Sequence, residues 1–309
     1  MNVGAKKSKC VIILSNKSSG SSILQRFITE SSEARSIRHT RHFERETLYW
    51  TKAASVLGLP RLDMPDSEVP LPRIKARREL EQLLSTNIDR YTVPKDDHEL
   101  VFGGWEKLCK TYAPALLEKS PHHLYQKSVL ELILEAARRT PDVDFHLVGL
   151  VRNPMSTLYS AWSRWRSPPE VQQKVWLTAY QNLLDLKAQA GEIVSIIRYE
   201  DLVTDPSVLK PVFDFLEVPS ASVERRSLHN RSLERWQKDK YYGFRPSAEL
   251  LALAERYGYL EESLSNSTYP HLAGTTSDHA WRPSEQNFTQ KTSKAVAEKL
   301  ICRDNHSCL

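Results

Sequence analysis

The sequence predicts an α/β protein with a mainly parallel central sheet flanked by helices. Two observations carry that prediction. Four short apolar runs, residues 10–15, 115–118, 145–151 and 193–199, have the length and β-branched content of strands buried on both faces. Helical periodicity fills the stretches between them, as the crossovers of a parallel sheet require. Ligands of such sheets bind beyond the carboxyl ends of the strands, so the residues just after each run should converge.

The first run, Val11 to Leu14, stops at Ser15-Asn16-Lys17-Ser18-Ser19-Gly20-Ser21-Ser22, and Ile23, Leu24, Phe27 and Ile28 then recur at helical spacing. A strand, a turn of small residues and a helix, in that order, make an anion cradle. The first-turn N–H groups lack acceptors within the helix, and the helix dipole favours negative charge beside them. Gly20 permits a close backbone approach, Lys17 adds a charge, and Ser18, Ser19, Ser21 and Ser22 offer hydroxyl donors. The expected ligand is a phosphate or sulfate ester. The plainer alternative is a serine-rich turn with Ser19 or Ser21 as helix N-cap. The nucleotide-kinase pattern G-x-x-x-x-G-K-[ST] does not fit, because Lys17 precedes Gly20 instead of following it.

Residues 50–100 read as an insertion, with Pro60, Pro65, Pro70 and Pro72 followed by a charged helix over 74–88. Such an insertion forms a lid, an acceptor-binding wall or a solvated spacer. The basic stretch 73–78 reads as the solvated face of that helix. An amphipathic helix is expected over 124–138. Another spans 154–165, with Asn153 as N-cap and Pro154 at its first position, and residues 206–216 repeat that logic with Asp205 as cap. A single domain over residues 1–262 and a polar tail over 263–309 are expected.

Net charge is +5, and no lysine or arginine run is long enough for a nucleic-acid track. Cys10, Cys109, Cys302 and Cys308 are too scattered for a disulfide framework, and His306 beside the last two completes no zinc spacing. No metal is expected. The run 10–14 is too short for a signal core or a membrane span, so the expectation is a cytoplasmic chain with no membrane partner. The sequons at Asn16, Asn230, Asn266, Asn287 and Asn305 weigh little against that, since Asn16 lies inside the ligand loop.

The strand ends share a theme. After the first comes 17–22, after the second Glu118-Lys119-Ser120-Pro121-His122-His123, and after the third Arg152-Asn153-Pro154, with Ser160 about two helical turns on. Each presents a cation or a hydroxyl, which suits a polyanionic nucleotide. These residues carry a resemblance. Ser18-Ser-Gly-Ser-Ser22 resembles the 5'-phosphosulfate loop of sulfotransferases that use 3'-phosphoadenosine 5'-phosphosulfate (PAPS). Leu150-Val-Arg-Asn-Pro through Ser160 is similar to their 3'-phosphate motif. Glu118-Lys-Ser-Pro121 is similar to the Glu-Lys-Ser/Thr segment of carbohydrate and related members. Ile197-Arg-Tyr-Glu-Asp-Leu202 with Asp205-Pro206 resembles a further block of the family, mainly structural. Four such blocks in order span residues 11–216.

The resemblance implies a P-loop-like sulfotransferase architecture with PAPS as cosubstrate and 3',5'-bisphosphoadenosine (PAP) as product. It implies that Arg152 and Ser160 grip the 3'-phosphate and that Lys119 faces the phosphosulfate and the acceptor. Family loops carry lysine or arginine where this chain has Ser18, so either Lys17 takes over at the bridging oxygen or Lys119 takes on more of that work. Sulfuryl transfer also needs a base. By the resemblance Glu46 stands where heparan-type members place a catalytic glutamate, with Glu44 out of register for that match. A structural carboxylate is the plain alternative for Glu46. His122 and His123 are rival bases or surface capping residues. In 229–238 a closing loop would bring Arg231 or Trp236 to the nucleotide; otherwise Leu233 and Trp236 belong to the core.

The expected activity is therefore sulfuryl transfer from PAPS to a hydroxyl or amine of a small-molecule or glycan acceptor. A P-loop small-molecule kinase and a catalytically silent PAP-binding protein are the alternatives.

Overall fold

The computed structural model describes residues 7–65, 67–219, 233–239 and 242–265. In chain order the described elements are β1 (Ser8–Ser15), α1 (Ser21–Ser31), β2 (Ala34–Ser36), α2 (Tyr49–Val56), α3 (Arg73–Asn87), α4 (Gly104–Thr111), β3 (Ala115–Lys119), α5 (Lys127–Arg139), β4 (Val143–Val151), α6 (Pro154–Trp165), α7 (Pro169–Ala190), β5 (Val194–Arg198), α8 (Tyr199–Thr204), α9 (Lys210–Leu216), α10 (Arg235–Lys238) and α11 (Ala248–Glu255). The chain divides into two compact units, Met1–Trp236 with Pro246–Ser265, and Gln237–Arg245 with Asn266–Leu309. The first unit holds the whole sheet. The tail expected over 263–309 lies outside the described residues from 266 onward.

Five parallel strands form one sheet in the order β2-β3-β1-β4-β5. β1 runs down the middle, with Ile13 opposite Lys119 of β3 on one side and Ser15 opposite Leu150 of β4 on the other. The winding reverses at β1, so a crevice opens beyond its carboxyl end between the tips of β3 and β4. That topology sets the loop 16–20, Lys119 and Arg152 around one opening.

The four expected strands are all present, each within two residues of its predicted ends. β2, three residues at the sheet edge, is too short to show a periodic pattern. α5 begins at Lys127 instead of 124 because turns from Ser120 to His123 and from His123 to Gln126 take up the preceding residues. The helix expected over 206–216 divides into a 3-10 turn, Pro206–Leu209, and α9. Pro211 lies in the first turn of α9, and with no N–H it cannot continue the ladder from the turn before. Both anticipated caps form: Asn153 Oδ1 accepts from Ser156 N at 3.1 Å, and Asp205 Oδ1 from Ser207 N at 3.0 Å. Arg73 and Arg77 do lie on a polar helix face, and both pair with Asp97.

One face of the sheet packs Val11, Ile13, Leu117, Val148 and Leu150 against Leu24, Phe27 and Ile28 of α1 and Val212 and Phe213 of α9. Cys10, Ile12 and Leu14 alternate to the opposite face and are equally buried. The insertion 50–100 contributes to the core there and is not a solvated spacer. Every residue of α2 is buried. Tyr49, Trp50 and Trp105 of α4 pack with tilted or edge-on rings, centroids 5.1, 4.6 and 4.8 Å apart, and α4 meets β1 and β3. Among the described residues no helix is long and apolar enough to cross a membrane.

Trp50 is wholly buried, so Trp50→Ala should leave a cavity costing about 3–5 kcal/mol. Urea unfolding checks this, and a loss below about 1 kcal/mol would show that α2 is dispensable to the core.

Candidate active site

The loop after β1 is shaped by two left-handed residues, Ser18 at φ 66° and Gly20 at φ 92°. Gly20 is the N-cap residue of α1, not Ser19 or Ser21 as in the plainer alternative, and it makes no side-chain cap bond. Only glycine suits the position. A Cβ there would lie 2.3 Å from the ring of Tyr199, and the positive φ disfavours side chains besides. The N–H groups of Ser21 and Ser22 then head α1, where the helix supplies no acceptors.

The four hydroxyls do not all face the opening. Ser19 Oγ donates to Tyr180 Oη at 2.9 Å, and that phenol donates to the Leu150 carbonyl at 3.0 Å, so Ser19 ties the loop to α7 and β4. The Ser18 hydroxyl is buried with no hydrogen-bond partner. Ser22 meets the charged groups of the site. It donates to Glu44 Oε2 and accepts from Lys119 Nζ at 3.2 Å.

Lys119 ends β3 and is 0 % exposed, yet its ammonium reaches the tip of the loop. It donates to Glu46 Oε1 at 3.2 Å and lies 3.7 Å from Glu44 Oε2. Both carboxylates thus meet one cation, and Glu44 belongs to the site despite being out of register with the family pattern. Glu44 and Arg45 are left-handed, at φ 54° and 59°, which turns the side chains of Glu44 and Glu46, separated by one residue, toward the same point. Burial lifts the pKa of Glu46 above its ordinary value; Lys119 opposes the rise, and the like charges of Glu44 and Glu118 add to it.

His122 Nδ1 lies 3.7 Å from Glu46 Oε2. Neither His122 nor His123 is a surface capping residue, because both are buried. Burial holds His122 well below the usual histidine range, and the charge of Lys17 is the next contributor. The charge of Lys17 is thus felt at His122. His123 stands behind it, with Nε2 at 3.4 Å from the buried carboxylate of Glu118.

Across the loop, Arg152 is 6 % exposed. Its Nη1 donates to the Ser18 carbonyl at 3.0 Å, and the guanidinium lies 4.6 Å from the centre of the Tyr199 ring. Burial pulls its high pKa down; Tyr199 and Glu200 raise it, and Arg164 lowers it. Glu200 accepts from Asn153 N at 3.1 Å and from Tyr259 Oη at 2.6 Å, fixing the residue next to Arg152. The block at 197–202 is thus structural in a specific way: it holds the arginine in place. Ser160 is half-buried on α6 and shares a helical face with Arg164.

Trp236 is 1 % exposed and Leu233 packs on the core, which places this tryptophan among the core residues. Arg231 lies outside the described residues. Glu44, Tyr180 and Tyr199 were missed as site residues by local pattern. Tyr180 sits in a long helix whose sequence carries no motif, and Tyr199 lies within a block that reads as structural. Among the described residues no group of three or more His, Cys, Asp or Glu side chains is placed to hold a metal.

A histidine kept neutral by the fold makes the native state less stable in acid. The unfolded imidazole binds a proton near its usual pKa and the folded one does not, so stability falls as pH drops from about 6.5 toward the lowered folded value. Between pH 7 and 5 the protein should lose more stability than His122→Asn does, measured by urea unfolding; His42 and His146 act alike in both. Parallel curves would contradict a buried neutral His122.

Two solved structures resemble this fold. A sulfotransferase domain from the curacin biosynthetic pathway matches with a TM-score of 0.53 and 20% identity, over 82% of this chain and 99% of that one. A sulfotransferase domain from the olefin synthase of Synechococcus PCC 7002 matches with a TM-score of 0.54 and 18% identity, over 84% of this chain and 98% of that one. A comparison with curated proteins gave no match. The sequence model of the sulfotransferase family matches residues 11–222, from β1 past α9. With that span covering the loop, Lys119, Arg152 and the block around Tyr199, the chain belongs to the sulfotransferase family.

Proposed function

We propose that this sulfotransferase takes its sulfuryl group from PAPS and delivers it to a hydroxyl or amine of a small-molecule or glycan acceptor, releasing PAP. The observation that carries the reading is the buried Lys119 ammonium. It is held at once by Ser22 of the anion loop and by Glu46, a carboxylate able to take a proton. The donor carries phosphates at both ends, and the site offers cations at both sides of its loop, Lys119 and Lys17 on one and Arg152 on the other. ATP has no 3'-phosphate to use the second.

The chemistry asks little of the protein beyond position and charge. The main-chain N–H groups of Gly20, Ser21 and Ser22 receive the 5'-phosphosulfate, with the Ser18 and Ser22 hydroxyls beside it. Arg152 and Ser160 receive the 3'-phosphate. The acceptor oxygen or nitrogen forms its bond to sulfur as the sulfur–oxygen bond to the 5'-phosphate breaks. The electron pair leaves with PAP, and Lys119 and Lys17 neutralise it.

Glu46 takes the acceptor's proton. Its raised pKa makes it a better base than an ordinary carboxylate. The depressed pKa of His122 makes that imidazole a weaker base than an ordinary histidine.

Arg152→Ala should weaken PAP binding by about 2–4 kcal/mol, since a charge-assisted contact is lost and the phosphate is left uncompensated. Calorimetry with PAP reads it, and unchanged affinity would remove the 3'-phosphate assignment. A PAPS-dependent screen of diverse acceptors, read by a mass gain of one sulfuryl group, tests the activity itself. In that assay Glu46→Gln should cut turnover about a hundredfold while PAP affinity stays nearly intact. Full turnover would move the base to His122.

A further inference from the structure

The segment that carries Glu46 is fastened to the end of β3 by groups that the reaction does not consume. Ser120 Oγ accepts from two successive main-chain donors, Thr47 N at 3.2 Å and Leu48 N at 3.0 Å. The same hydroxyl donates to Glu118 Oε1 at 2.5 Å. Thr47 Oγ1 donates to that oxygen at 2.7 Å and accepts from Tyr49 N at 3.0 Å. From the other side, Lys52 Nζ donates to the Thr47 carbonyl at 2.9 Å. Ser120, Glu118 and Lys52 are all buried. Thr47 thus has its N–H, its hydroxyl and its carbonyl all held, although Leu48 beside it is in a left-handed conformation at φ 51°.

Such a network has no evident part in binding the donor. Glu118 is enclosed, facing Thr47, Ser120 and His123. Burial alone would raise its pKa; His123, Ser120 and Thr47 bring it below the ordinary carboxylate value, so a full negative charge is kept inside the protein. A buried carboxylate is costly unless several donors satisfy it, and here one of them, the Thr47 hydroxyl, comes from the chain segment next to Glu46. Lys119 lies between Glu118 and Ser120 in sequence, so the end of β3 and the residue after it hold both the cation and the anchor of its carboxylate partner.

We infer that Ser120 and Glu118 are positioning residues for Glu46, latching residues 46–48 to the tip of β3 and thereby fixing the Glu46 carboxylate against Lys119. The inference rests on Glu46 as the base for its consequence in catalysis, but the latch is measurable without that. The groups facing Glu46 are Lys119, Glu44, Glu118 and His122; Ser120→Ala removes none of them and takes from Glu118 one of its donors.

The test labels glutamate side-chain carboxyls with carbon-13, assigns Glu46 by the signal lost in Glu46→Gln, and titrates it by NMR. Turnover of PAPS with an acceptor from the mass-shift screen is measured alongside. In Ser120→Ala the Glu46 midpoint should move down by about half a pH unit toward the ordinary glutamate value as the segment loosens. Turnover should fall about tenfold or more with PAP affinity within about twofold, and Ser120→Thr, which keeps the hydroxyl, should restore both. Should Ser120→Ala fail to fold, Thr47→Val removes the other hydroxyl of the latch and should move the midpoint in the same direction. An unmoved Glu46 midpoint in a folded latch variant overturns the proposal. So does an equal proportional loss of turnover when Ser120→Ala is made in the Glu46→Gln background. A shifted midpoint together with full turnover by Glu46→Gln upholds the latch and overturns the base assignment instead.

Discussion

The ammonium of Lys119 has no access to water, and much of the site follows from that one condition. A cation taken out of water costs several kcal/mol unless opposite charge and hydrogen bonds surround it. β3 delivers Lys119 to the crevice because its register with β1 ends there, at Ile13 opposite Lys119. Carboxylates must then be brought to it from elsewhere in the chain. Residues 43–48 meet that need by an irregular path with Glu44, Arg45 and Leu48 all in left-handed conformations. Backbone strain of this kind persists only where the surroundings over-determine it, and it gathers at working sites. Here the surroundings are the cation on one side and the Glu118–Ser120 anchor on the other.

The second half of the site is organised by an aromatic ring. Tyr199 fills the space that a side chain at Gly20 would need, and the Arg152 guanidinium lies over its face. The loop after β1 and the residue after β4 are thereby packed against a common surface, the first residue of α8. Arg152 adds its bond to the Ser18 carbonyl. The arginine consequently acts as a loop brace as well as the proposed receptor for the 3'-phosphate. A lysine at position 152 would keep the charge and lose both the stacking and the planar geometry.

The sheet was legible because its strands are apolar on both faces, and both faces are indeed covered. The loop, Lys119 and Arg152 were legible because the carboxyl ends of parallel strands are where ligands gather, and each motif sits directly after a run. What stayed hidden was held by distance in sequence. Tyr180 bonds Ser19 from 161 positions away, and nothing in α7 marks it. Glu44 was set aside on register, yet two left-handed residues bring it alongside Glu46. Gly20 was read as permitting a ligand's approach, and its nearest neighbour is a side chain of the same protein. The stretch after Trp50, rich in proline and charge, concealed a wholly buried helix. Its polar members Thr51, Lys52 and Ser55 satisfy their side chains internally.

That buried helix has a bearing on how such an enzyme could diversify. Many folds vary their specificity by exchanging a surface loop while the scaffold stays constant. α2 does not permit such modularity. Its rings interlock with Trp105 of α4, which itself lies against β1 and β3, and Lys52 extends from it to the carbonyl of Thr47. A foreign segment grafted in its place would have to refill the interior and re-anchor the neighbouring carboxylate in a single step. Change here would have to proceed by gradual repacking, one side chain at a time.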